Sequence, residues 1–291
     1  VSAERAERSW TVLELLRWTT EHFASKGIDT PRLDAECLLA HALGTTRIAL
    51  YVDFEKPVVE AERAGFRELV RRRAGERVPV SQLLGEREFW SLPLRVTSDV
   101  LTPRPDTEVL VTALLDRLPD VEAEIDVLDV GTGSGAIALA LASERPKARL
   151  TATDISPSAL QIAEGNAEKL QLKDRVRFLE GDLFEPVSGE QFDAIVSNPP
   201  YLASAEAGEL APELAHEPDA ALFAGEDGLD VLRPLVAQAG EALRPGGWLA
   251  VEIDPRQVGP VRAAFVAAGF ENVEVLRDLG SRERGVVGQR P

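Results

Sequence analysis

Methionine is absent from this chain, cysteine occurs once, tyrosine twice and histidine three times in 291 residues. The lone cysteine, Cys37, excludes an internal disulfide. It sits in an apolar helical pattern, so it is expected as a buried free thiol in a reducing, cytoplasmic setting. Basic residues are also scarce: 32 Lys and Arg against 49 Asp and Glu leave a net charge of −17. Such a surface repels phosphates, which argues against general binding to DNA, RNA or anionic membranes. Long hydrophobic runs are missing too. The longest, residues 136–142, is far too short to span a bilayer. The opening VSAERAERSW is charged and lacks the apolar centre of a secretory signal. With no methionine and Val1 in first place, the start of the natural chain is left open.

What is present is an ordinary globular balance, 44% apolar and 28% charged, and enough length for one large domain or two smaller ones. The first quarter reads as helices. Thr11 and Glu14 form a capping-box pattern, and Val12, Leu15, Leu16 and Phe23 follow at helical spacing. Thr30-Pro31 opens a second helix, with Leu33, Cys37, Leu38 and His41 on one face and Gly44 at its end. A third is expected from Pro57 to about Arg73. Residues 1–77 are therefore expected as a helical bundle that docks the substrate, and 78–100 as a hairpin-like linker. A helix with Leu110, Val111, Leu114, Leu115 and Leu118 as its stripe follows TPRPDTE. From 125 the pattern alternates: IDVLDV, ARLTAT, VRFLEG and FDAIVS are short strand candidates separated by helices, and GGWLAVEI, FENVEVLRD and RGVVGQ follow. That pattern predicts an α/β fold over 101–291, a doubly wound parallel sheet covered on both faces.

VLDVGTGSGAIALALA, 127–142, is a strand, a glycine-rich turn and a helix. Gly131, Gly133 and Gly135, interleaved with Thr132 and Ser134, let the backbone turn sharply beside a ligand. In a doubly wound sheet this first strand-to-helix turn is where a nucleotide-like ligand lies. Asp154 ends the next strand, about 20 residues on, where a carboxylate accepts from ribose hydroxyls. The loop alone does not separate NAD from S-adenosylmethionine. A dinucleotide needs the helix N-terminus for its pyrophosphate, whereas S-adenosylmethionine offers an ammonium and an adenine amine. Asp129 and Asp182, also at strand ends, favour the second.

The strand FDAIVS runs into Asn198-Pro199-Pro200-Tyr201. Two prolines delete two backbone donors, so a rigid turn is one reading and an acceptor-rich pocket rim the other. Methylating a planar nitrogen calls for such a rim. Acceptors on both N–H bonds aim the nitrogen and stabilise the positive charge developing on it. The Asn198 side-chain oxygen and the Pro199 carbonyl are candidates for those acceptors, and Tyr201 for a stacking platform. The fourth strand of such a sheet ends beside the first, which brings this turn to the glycine loop.

With these motifs in hand the sequence resembles the class I methyltransferases that act on planar nitrogens. Within them it resembles the PrmC/HemK group, the protein-glutamine N5-methyltransferases of translation release factors. The resemblance covers nearly the whole chain and includes LLGEREFW (83–90), LTPRPDTE (101–108), TDIS (153–156), EPDAALFAGEDGLD (217–230) and RDLGSRERGVV (277–287). It implies seven strands with the last antiparallel, and S-adenosylmethionine as cofactor with S-adenosylhomocysteine as product. Gly131, Gly133, Gly135, Asp154 and Asn198 are implied to lie at the cofactor. Asn198 to Tyr201 are implied to hold the glutamine of a Gly-Gly-Gln loop, with Phe89 and Arg104 lining the same pocket. For the last two, core packing and a loop-anchoring ion pair are the competing readings. Leu183 stands where many members carry tryptophan, so adenine packing is expected to differ, and Thr102 and Asp254 also depart from the pattern. The expected partner is a release factor met by a monomeric enzyme, with no nucleic acid, membrane or metal. Rival readings are a ribosomal-protein glutamine, an adenine amine in nucleic acid, and an NAD-dependent oxidoreductase or a catalytically silent cofactor-binding module. RELVRRRAGER, 67–77, is a basic patch for a partner or an ordinary solvated helix face.

Overall fold

Thr11 opens the first helix with the reciprocal pair its spacing predicts: Glu14 N–H donates to Thr11 Oγ1 (3.3 Å), and Thr11 N–H donates to Glu14 Oε2 (3.0 Å). The computed structural model describes residues 10–291; the charged opening segment read above lies mostly outside them. The chain divides between Gly85 and Glu86 into two units. In the first, a short pair β1 (Trp10–Thr11) and β2 (Pro57–Val58) accompanies helices α1 (Val12–Ser25), α2 (Pro31–Ala42), α3 (Arg47–Val52), α4 (Glu60–Arg71) and α5 (Val80–Leu84). Leu16, Phe23, Leu38, Leu39 and Phe66 form its core. Three expectations shift. Pro57 and Val58 are strand, so the third helix starts at Glu60 and continues into a wider turn, Arg72–Glu76. The buried face of α2 is Ala35, Leu38 and Leu39, while Leu33 is exposed and Cys37 only half-buried. The face is polar in part because Glu36 is buried there, held by Arg32, Arg47 and Tyr51. The basic run is largely neutralised within the unit: Arg73 makes a buried pair with Asp34 (2.8 Å), and Arg71 meets Glu68 and Glu76.

The second unit starts with a hairpin, β3 (Glu86–Phe89) and β4 (Leu92–Arg95). Its two-residue turn, Trp90-Ser91, takes positive φ at both positions, the twist a tight hairpin needs. The stretch expected as a linker thus belongs to both units, α5 to the first and the hairpin to the second. After α6 (Glu108–Arg117) come β5 (Asp126–Val130), α7 (Ala136–Glu144), β6 (Arg149–Asp154), α8 (Pro157–Lys169), β7 (Val176–Glu180) and β8 (Phe192–Ser197). Then follow α9 (Asp219–Leu222), α10 (Leu232–Ala242), β9 (Leu243–Glu252), α11 (Val258–Ala267), β10 (Glu271–Arg277) and β11 (Glu283–Gln289). The sheet order is β10-β11-β9-β8-β5-β6-β7, and β11 alone runs antiparallel to its neighbours. Strands buried on both faces send alternate residues to two cores. Val127, Ala194 and Val196 meet Leu110, Leu114 and Leu139 on one side; Leu128 and Ile195 meet Leu235, Val236 and Phe265 on the other. The first seven residues of α7 are alanine or aliphatic and all buried, which explains the longest apolar run in the chain. Among the described residues no helix is long and apolar enough to cross a membrane.

Candidate active site

Parallel pairing of β8 with β5 sets Ser197 beside Val130, so the Asn-Pro-Pro turn and the glycine loop leave the sheet side by side. The Ser197 hydroxyl donates to the Val130 carbonyl (2.7 Å) and ties the two exits together. The loop itself is pinned by its own backbone. Gly131 and Thr132 N–H donate to the Thr153 carbonyl (2.8 and 2.9 Å), and Gly133 N–H donates to Asp154 Oδ2 (2.8 Å). Gly135 has φ of +83°, and a Cβ there would lie 3.1 Å from Leu139 Cδ1 and 3.2 Å from Ala163 Cβ. The positive φ favours glycine here, and Ala163 of α8 leaves only tight space for a Cβ.

The three carboxylates expected around the cofactor occupy different places. Asp154 lines the cavity at the end of β6; Oδ1 accepts from Ser156 N–H (2.9 Å), and burial pushes its pKa up. Asp182 is exposed at the rim, next to Leu183, whose φ of +46° is a strained value for a leucine. Asp129 is fully buried beneath the loop rather than on the cavity wall. Its Oδ2 accepts from Thr132 Oγ1 (2.7 Å) and from Ala138 N–H (3.2 Å), one of the free donors of the first turn of α7. Desolvation pushes its carboxyl up to about 7, and Oδ1 has no partner.

The cavity holds about 420 Å³. Gly131 to Ser134, Asp154 to Ser156, Leu183 and Asn198 to Pro200 line one part; Pro103, Thr107, Pro218 and Phe223 line another. Asn198 donates from Nδ2 to Thr107 Oγ1 (3.3 Å), whereas its Oδ1 is buried with no hydrogen-bond partner. Tyr201 is turned away from this space. Its hydroxyl contacts Glu252 Oε1 (3.4 Å), and its carbonyl accepts from Gln257 Nε2 (2.9 Å). Gly228 makes this possible: a Cβ there would come within 2.2 Å of the Tyr201 carbonyl oxygen. Burial and the nearby Glu252 carboxylate push the Tyr201 phenol pKa up, so it stays protonated.

Phe89 and Arg104 do not line the cavity. Phe89 is 1% exposed in the core against α6. Arg104 meets the buried Glu217 carboxylate with both bonds from Nη2 (2.8 and 2.7 Å), and Thr102 N–H also donates to Glu217 (3.3 Å). That clamp joins the 101–107 segment to the 217–223 segment, both of which supply cavity wall. Thr107, Glu217 and Glu252 were not singled out in the sequence. The available signals were a carboxylate closing an apolar strand, for Glu252, and membership of the quoted motifs for Thr107 and Glu217.

The cavity wall carries three aspartates and no lysine or arginine. A pyrophosphate would find no cation there, whereas a sulfonium with an ammonium group suits it. Asn198 Oδ1, on the same wall, is a buried acceptor without a hydrogen bond. With one reversed strand in an otherwise parallel sheet, this fold and site define an S-adenosylmethionine-dependent methyltransferase. Residues 105–227 match the methyltransferase small domain, and residues 14–85 match the PrmC N-terminal domain. A release factor glutamine methyltransferase of Rhodopirellula baltica is 47% identical over 94% of this chain and 95% of its own. Those of Geobacter sulfurreducens and Escherichia coli are 45% and 40% identical, over 97% and 95% of this chain and 97% and 99% of theirs. A Thermus thermophilus 16S rRNA methyltransferase solved with AdoMet and guanosine has a TM-score of 0.54 at 21% identity. The match covers 71% of this chain and 50% of that one, and the likeness is one of fold. The chain belongs to the release factor glutamine methyltransferase family.

Proposed function

We propose that this chain methylates the side-chain amide nitrogen of the glutamine in the Gly-Gly-Gln motif of peptide chain release factors. The observation that carries the reading is the buried, unpartnered Asn198 Oδ1 on the cavity wall, one strand away from the glycine loop. When bound, S-adenosylmethionine supplies an electrophilic methyl group. The chain's task is then to present a weak nucleophile. An amide lone pair is delocalised, so the NH₂ must be held with its nitrogen aimed at the methyl carbon. Asn198 Oδ1 takes one N–H and the Pro199 carbonyl the other; both acceptors strengthen as charge grows on nitrogen. The amide proton would be lost to water after methyl transfer, so the chain need hold no strong base at this position. Asp154 and the exposed Ile155 offer an acceptor and an apolar shelf for the nucleoside end, beside Leu183. Release factors work in the cytoplasm, and the enzyme is read as acting there as a monomer; Cys37 forms no disulfide, in keeping with a reducing compartment.

The test is transfer of labelled methyl from S-adenosylmethionine to a purified release factor, beside a copy whose Gly-Gly-Gln glutamine is replaced by alanine. Label on the first alone supports the reading. Label on neither, with cofactor binding intact, moves the substrate elsewhere.

A further inference from the structure

Pro199 and Pro200 carry no N–H, so two of the main-chain groups that could pin the Asn198–Tyr201 turn to its surroundings are missing. Upstream, β8 fixes the turn at Ser197. Downstream, a side chain from another segment takes hold. Gln257, 8% exposed at the end of a short 3₁₀ turn (Pro255–Gln257) after β9, donates from Nε2 to the Tyr201 carbonyl (2.9 Å) and to the Gly228 carbonyl (3.2 Å). The Asp227 carbonyl lies further off (3.5 Å). Gln257 Oε1 accepts from Asp254 N–H (3.3 Å). These partners are all main-chain groups. A carbonyl only accepts and a peptide N–H only donates, so the amide has a single orientation, with both N–H bonds engaged.

Tyr201 closes the acceptor turn, and Gly228 belongs to the 217–230 segment, whose Pro218 and Phe223 stand on the cavity wall. The same two segments are joined again just beyond: Leu202 N–H donates to the Leu222 carbonyl and Ala224 N–H to the Leu202 carbonyl (both 2.9 Å). The Tyr201 hydroxyl contact with Glu252 (3.4 Å) is longer and holds the ring rather than the main chain. Gln257 does not line the cavity, so it acts on substrate only through the groups it holds. We propose that Gln257 is a positioning residue: it fixes the downstream end of the turn and so sets where the Pro199 carbonyl, the second acceptor, meets the target nitrogen. The inference rests on the amide-methylation reading above and adds the group that keeps its geometry. A staple that served the fold alone would, when lost, lower Tm and weaken every ligand together. A positioning residue changes kcat on its own, because an acceptor displaced by a fraction of an ångström still admits the substrate but no longer aims it.

The experiment is steady-state methylation of a release factor by Gln257→Met and Gln257→Glu, with S-adenosylhomocysteine titration and thermal unfolding alongside and kcat counted per cofactor-binding site. Gln257→Met keeps the length and loses both N–H groups. Gln257→Glu keeps the shape and offers at most one O–H where two N–H bonds stood. Each is expected to lower kcat by roughly 10–100-fold, with KM for the release factor and the S-adenosylhomocysteine Kd within about threefold of wild type. The cofactor is held as before because Gln257 donates neither to the glycine loop nor to Asp154. A folded variant at the wild-type kcat overturns the inference. So does a kcat loss matched by an equal rise in KM and Kd, or failure of both variants to fold, since either assigns Gln257 to the fold alone. A wild-type enzyme that methylates no release factor overturns the functional reading instead, and the two failures are separable because the first needs an active wild type.

Discussion

Replacing Arg104 by alanine separates an anchoring arginine from one that meets substrate. Both of its bonds go to Glu217, whose side chain is 1% exposed, while Arg104 itself is 38% exposed. Removing the guanidinium leaves the buried carboxylate with the 3.3 Å bond from Thr102 N–H but without its cation. Breaking a wholly buried pair costs about 3–5 kcal/mol. Here water can enter through the exposed arginine side, which roughly halves the penalty to about 2 kcal/mol. For a unit of this size that lowers Tm by about 4–8 °C. The clamp also joins two parts of the cavity wall, so cofactor affinity should fall by about tenfold, equivalent to about 1.4 kcal/mol of lost ordering. Thermal unfolding and calorimetric titration with S-adenosylhomocysteine read both effects. Adding Glu217→Gln to Arg104→Ala removes the stranded charge and should return much of the stability. A variant that unfolds at the wild-type temperature yet loses kcat would refute the anchor and place Arg104 against the substrate.

Three further outcomes are expected. Asn198→Ala should lower kcat by about 10²-fold or more through loss of one aligned acceptor, with little change in cofactor affinity; single-turnover methylation checks it, and a wild-type rate would remove the motif from the chemistry. Gly135→Ala, forced into positive φ with its Cβ against Leu139 and Ala163, should cost about 2–3 kcal/mol in urea unfolding and weaken cofactor binding. Asp129 gives a pH dependence. Its folded-state pKa of about 7 lies above the unfolded value, so the folded state holds the proton longer, and this group's contribution to stability falls as pH rises from about 4 to about 7. Asp129→Asn, an uncharged isostere, should therefore gain on wild type by about 2–3 kcal/mol between about pH 5 and about pH 8, read from urea midpoints. A constant difference across that range would show that Asp129 is ionised throughout.

Local chemistry in the sequence determined a great deal. The Thr11–Glu14 box, Pro31 at a helix start, the Ser156 cap before Pro157 and the strands from IDVLDV to FDAIVS all act within a few residues, and the structure has them in place. The order of motifs was enough to bring the glycine loop and the Asn-Pro-Pro turn to neighbouring strand ends, because a doubly wound sheet sets its fourth strand beside its first. Boundaries were less readable. Pro57-Val58 is strand because it pairs with Trp10-Thr11, more than forty residues earlier, and α2 buries Glu36 because three partners from elsewhere in the chain and along its own helix satisfy it. Side-chain direction was the part that only tertiary structure decided. Asp129 turns under the loop to cap α7, Tyr201 turns to Glu252, and Arg104 turns to Glu217 across 113 residues. Each is a polar group that burial obliges to find a partner, and which partner lies within reach depends on how distant segments pack.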